Sequence, residues 1–151
     1  MSQNRSITLG RPALYYKDVV LMGHGTIYYA NACYSCLQSV FNDNGYGNVH
    51  LGTVEGYPTL QNVIRRLNKD KIKEITLIPL MLVAGDHAKN DMTSDEKDSW
   101  KLVIQNQGIK VNIYLHGLGE VSKFQEIYLD HIRDAIENRY EGLGKTKKGG
   151  I

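Results

Sequence analysis

The chain has 151 residues, 42% of them hydrophobic and 23% charged, which is the size and make-up of a single globular domain. Its 18 basic and 16 acidic residues leave a net charge of only +2, and no basic stripe interleaved with aromatics gives a footprint for nucleic acid. No apolar run approaches the ~18 residues of a membrane span, the start "MSQNRSITLGRP" lacks the apolar stretch of a signal peptide, and two cysteines build no disulfide framework, so a reducing, cytoplasmic setting is expected.

Strand and helix patterns alternate along the chain. "DVVLM", Asp18 to Met22, is a short apolar run stopped by Gly23 and is expected to be a buried strand. Ala30, Cys33, Leu37, Val40 and Phe41 then recur at helical spacing, with Gly45 as the stop. "NVHLGTV", Asn48 to Val54, predicts a second strand, and Leu60, Val63, Ile64 and Leu67 mark a helix whose first turn tolerates Pro58.

Ile75 to Val83 is the most hydrophobic run and predicts the third strand. Thr93 and Glu96 have the spacing of a capping box before the helix in "KDSWKLVIQNQG", which Gly108 closes. "KVNIYLHG", Lys110 to Gly117, alternates like a fourth strand, and Phe124, Ile127, Tyr128, Ile132, Ala135 and Ile136 outline a final helix. The pattern predicts an α/β fold, a doubly wound four-stranded parallel sheet with helices on both faces. Residues 1–140 are expected to form this one domain, and 141–151 a flexible basic tail. Gly144-Lys145-Thr146 in that tail lacks the leading glycine and the preceding strand of a phosphate-binding loop.

Ligands of open α/β sheets bind beyond the carboxyl ends of the strands. There the first three strands each deliver one metal-capable side chain, set among glycines: His24 in "MGHGT", Glu55 in "GTVEGYP" and His87 in "AGDHAKND". Two imidazoles and a carboxylate suit a divalent first-row ion such as cobalt, nickel, iron or zinc and leave positions open for exchange. The imidazoles must be neutral to ligate, so binding should weaken below about pH 6.5.

Asp86, Asn90 and Asp91 lie near enough in sequence to hold the tautomer of His87. Tyr28, Tyr29 and Tyr57 follow the same strand ends and would line a pocket for a flat ligand, with Gly85 leaving room beside it. A single histidine after a strand is more often an ordinary loop residue, and it is the three at equivalent ends that point to a shared site. Cys33 and Cys36 form one C-x-x-C inside a helical pattern and are read as helix-face or core residues rather than a redox pair. His50 and His131 are read as structural, and His116 as at most a rim residue.

"VLMGHGT", "LGTVEGYPTL" and "PLMLVAGDHAKNDM", followed by "DEKDSWK" and "GLGE", resemble the C-terminal half of the anaerobic sirohydrochlorin cobaltochelatases, which are type II chelatases related in fold to ferrochelatase. The resemblance runs from about Leu9 to about Ile136. It implies metal contacts at His24, Glu55 and His87, catalysis by His24 and His87, and an ATP-independent lyase that inserts Co²⁺ into sirohydrochlorin, an octacarboxylate macrocycle, on the route to cobalamin. Ni²⁺, Fe²⁺ or Zn²⁺ would be alternative substrate metals.

Two departures stand out. The family is built from two similar halves with the tetrapyrrole between them, so a second subunit or a separate N-terminal half is expected to complete the cleft. The family pattern G-H-G-T-x-H-x-A-N becomes "GHGTIYYAN", with Tyr28 at the second histidine. The alternative expectation is a module that binds metal or tetrapyrrole without inserting the one into the other.

Overall fold

A computed structural model describes residues 17–137 and Arg139. The basic tail expected at 141–151 lies outside the described residues. Four parallel strands, β1 (Asp18–Gly25), β2 (Val49–Glu55), β3 (Glu74–Pro79) and β4 (Lys110–Ile113), form one sheet in the order β2-β1-β3-β4. Between and after them run α1 (Ala32–Asp43), α2 (Leu60–Lys69), α3 (Trp100–Gln105) and α4 (Ser122–Ile136). The order reverses direction after β1, which is the switch point where a ligand crevice is expected.

Register and burial divide the sheet into two faces. Val20, Met22, Ile75 and Leu77 alternate onto one face and are wholly or almost wholly buried against Val63 and Leu67 of α2 and Trp100 and Ile104 of α3. Each such side chain contributes about 1.5–3 kcal/mol relative to an exposed one, which fixes the register, because a one-residue slip would turn it outward. The opposite face carries Leu51 and Thr53 beneath α1. No residue of α1 or α4 is itself buried.

Several boundaries differ from the sequence expectation. β1 does not stop at Gly23: its pairing with β2 continues to Gly25↔Glu55, so the sheet carries His24 to its edge. β3 ends at Pro79 rather than Val83. Leu80 still donates to the Met22 carbonyl, but the carbonyls of Met81 and Leu82 then accept from Leu118 and Gly119 in the short turn after β4. With its backbone bonds taken by that turn, the segment leaves the sheet, and Leu82 and Val83 are exposed rather than core. β4 likewise stops at Ile113, four residues before Gly117.

The capping box at Thr93 and Glu96 does not form. Thr93 Oγ1 donates back to the carbonyls of Ala88 and Lys89, and α3 is capped by Ser99, whose Oγ accepts from Leu102 N at 3.4 Å. Helix α2 has a box of its own: Thr59 Oγ1 accepts from Asn62 N, and Asn62 Oδ1 accepts from Thr59 N. Among the described residues no helix is long and apolar enough to cross a membrane.

Candidate functional site

Two loops at the carboxyl edge bring two histidines together. His24 lies near the end of β1, between Gly23 and Gly25, and His87 opens the π-type turn Ala88–Met92 after β3. Their ring centroids stand 4.5 Å apart, edge to face at 84°. His24 Nδ1 lies 2.8 Å from the carbonyl oxygen of Gly25, an acceptor only, so this nitrogen carries the proton. His87 Nδ1 lies 2.5 Å from Asp91 Oδ2, across one helical turn, and donates to that carboxylate. With Nδ1 the donor in each ring, the lone pair of the neutral form is on Nε2, the arrangement in which a histidine binds a metal while its other nitrogen is held. Of the three acceptors expected beside His87, Asp91 fills the role.

Glu55 ends β2 and is paired with Gly25, next to His24 in the chain, with its side chain exposed. Among the described residues no three His, Cys, Asp or Glu side chains stand close enough to hold one metal ion. The structure brings together the imidazole pair, with Glu55 one strand away on the same edge.

Sequence reasoning missed Asn31, which is 6% exposed and staples the two loops. Its Oδ1 accepts from Thr26 N at 2.8 Å, and its Nδ2 donates to the carbonyls of Tyr57 at 2.6 Å and Glu55 at 3.2 Å. A buried amide serves both as donor and as acceptor to backbone, and nothing within "GTIYYAN" marks this one as buried. The loops also approach too closely for side chains at two positions. A Cβ on Gly25 (φ 81°) would lie 2.0 Å from the Glu55 carbonyl oxygen, and one on Gly56 (φ 74°) 2.2 Å from that of Thr26. At Gly85 a Cβ would meet nothing within 4 Å, so this glycine borders open space.

Beside the loops lies a cleft of about 290 Å³ lined by Ile27, Tyr28, Tyr29, Asn31 and Tyr57 among others. Tyr28 and Tyr57 are 73% and 63% exposed, two aromatic faces turned to solvent at the rim. A second histidine–carboxylate pair stands after β4, where His116 Nδ1 is 2.7 Å from Glu120 Oε2 and its ring lies 4.7 Å from that of Tyr114. The bond from His116, and then that from Gly117 N–H, hold the Glu120 carboxyl below its ordinary range. His50 is buried mid-strand with Nε2 3.1 Å from Asp18 Oδ1, and His131 is exposed on α4. Cys33 and Cys36 are free thiols on the exposed face of α1, not core residues.

The cobalt chelatase (CbiK) family matches residues 13–137. Sirohydrochlorin cobaltochelatase of Salmonella typhimurium strain LT2 is 39% identical over 125 residues, covering 83% of this chain and 47% of the relative. Sirohydrochlorin cobaltochelatase CbiKC of Nitratidesulfovibrio vulgaris strain Hildenborough is 35% identical over 118 residues, 78% of this chain and 42% of the relative. The chain thus spans less than half the length of these curated relatives. Among solved structures, the cobalamin biosynthesis CbiX protein of Marinobacter aquaeolei VT8 superposes with a TM-score of 0.59 at 17% identity, over 81% of this chain and 98% of its own. That likeness shows the fold.

Proposed function

We propose that this chain, which belongs to the CbiK cobalt chelatase family, inserts Co²⁺ into sirohydrochlorin without ATP, on the route to cobalamin, with His24 and His87 presenting the metal and receiving protons. The observation that carries this reading is the imidazole pair at 4.5 Å, each ring held through Nδ1 so that Nε2 is its free base.

Insertion exchanges one divalent ion for the two pyrrole N–H protons, so the macrocycle gains a metal and releases two H⁺. An Nε2 that donates its lone pair to the ion is freed when the ion moves to the ring nitrogens. It can then accept one of the departing protons, as a general base of suitable pKa does. The Asp91 carboxylate holds the Nδ1 side of the His87 ring while Nε2 does this. Glu55, exposed at the next strand end and standing apart from the pair, would turn toward it to become the third metal ligand in this reading, and the rims of Tyr28 and Tyr57 with the space at Gly85 receive the flat macrocycle.

Ni²⁺, Fe²⁺ and Zn²⁺ would enter the same donor set, with selection set by geometry and supply. A second subunit or a separate half-chain would wall the other side of the macrocycle. The test is the visible spectrum of sirohydrochlorin with Co²⁺ under reducing conditions. Added protein is expected to accelerate the shift to the metallated spectrum, and His24→Ala or His87→Ala to abolish the acceleration. A rate equal to that in buffer at every protein concentration would overturn the reading.

A further inference from the structure

Tyr34 stands in the first turn of α1 and reaches back to the segment that carries His24. Gly23 and Gly25 flank that histidine, and Tyr34 engages both. Its hydroxyl oxygen accepts from the half-buried Gly25 N–H at 3.3 Å. Its half-buried ring fills the space that a side chain on buried Gly23 would need: a Cβ added there would overlap Tyr34 Cε1 and stand 3.0 Å from Cζ.

Gly25 is thereby held on both sides. The peptide that joins His24 to Gly25 is held at its N–H by Tyr34. The peptide that joins Gly25 to Thr26 is held at its N–H by Asn31 Oδ1, and its carbonyl oxygen accepts from His24 Nδ1 at 2.8 Å. That carbonyl is the acceptor that keeps the His24 proton on Nδ1, so the orientation of Gly25 decides which nitrogen the ring offers. Gly25 has φ 81°, and glycine alone carries little preference for that conformation, so the hold must come from its neighbours.

We propose that Tyr34 is a positioning residue for His24. Its hydroxyl and ring fix Gly25 and Gly23, which in turn fix the tautomer and direction of the imidazole. The inference rests on the reading of His24 as a residue that presents the metal, but its first test needs no metal.

Nitrogen-15 NMR of the metal-free chain at about pH 8, above the ordinary imidazole range, reads each histidine tautomer. Wild-type His24 should carry its proton on Nδ1. Tyr34→Phe, which keeps the ring and removes the hydroxyl, should give a mixture of tautomers at His24 and leave His87, held by Asp91, unchanged. A role in packing alone would lower the melting midpoint without moving the His24 proton. Calorimetry should show Co²⁺ affinity on the order of tenfold weaker in Tyr34→Phe. Gly23→Ala, which pushes the ring off the strand, should change His24 in the same way, and adding Tyr34→Phe to it should change little more. The same His24 tautomer in wild type and Tyr34→Phe, or effects of the two substitutions that simply add, would overturn the proposal. A wild type that binds no Co²⁺ would overturn the proposed function instead, and the tautomer comparison would still decide the role of Tyr34.

Discussion

His87 and Asp91 sit one helical turn apart, with the imidazole Nδ1 2.5 Å from the carboxylate oxygen. The carboxylate fixes the tautomer in which Nε2 is the nitrogen left for a cation. Asp91→Asn keeps the shape and removes the charge. It should weaken Co²⁺ binding on the order of 10–100-fold with the fold intact. Titration calorimetry checks this, and an unchanged affinity would separate Asp91 from the site.

Asn31 joins the loop after β1 to the loop after β2 through three backbone groups. Asn31→Ala leaves a half-buried N–H and two carbonyls without this partner, so it should cost about 1–3 kcal/mol. Urea unfolding should show a lower midpoint at an unchanged slope. A loss well under 1 kcal/mol would mean that the two loops hold their positions without it.

The same loops were only partly legible in the sequence. The four strands, their parallel sheet and the edge holding His24 and His87 follow from apolar runs ended by glycines, because burial and backbone freedom leave local marks, whereas the order β2-β1-β3-β4 does not. The end of β3 did not, since nothing within "PLMLVAG" says that the carbonyls of Met81 and Leu82 will be claimed by residues 118 and 119. Thr93 failed as a cap for a similar reason: a hydroxyl that can bond backward to Ala88 and Lys89 is locally indistinguishable from one that caps forward. Asn31 was invisible because its partners lie about 25 residues on, and single-sequence patterns carry no such pairing.

Gly56→Ala is expected to be more damaging than its size suggests. The backbone there has φ 74°, and the new methyl would meet the Thr26 carbonyl oxygen at 2.2 Å. Destabilisation above about 1 kcal/mol is expected, with Gly85→Ala as the silent control for stability because its added Cβ meets nothing within 4 Å. Thermal melts of the two variants give the comparison, and equal midpoints would contradict the close approach of the loops.

Glu120 supplies a pH dependence whose sign is fixed. Its carboxyl is held below the ordinary value of 4.5 by His116 and by Gly117 N–H, so the folded state binds its proton less readily than the unfolded chain. The stabilisation is present above about pH 4.5 and disappears as pH falls through the lower folded value. Glu120→Gln should flatten the acid limb of the stability curve below that pH, and His116→Ala should move the Glu120 carboxyl upward in a carbon-13 NMR titration. A carboxyl titrating at the same pH with and without His116 would contradict the pair.

The central claim is that His24 and His87 hold one cation between them. X-ray absorption of the Co²⁺-loaded chain reads the ligands directly. The account predicts imidazole scattering from two histidines around a single cobalt, reduced to one in His24→Ala and in His87→Ala. Cobalt bound at equal stoichiometry with oxygen neighbours alone, unaffected by either substitution, would contradict it.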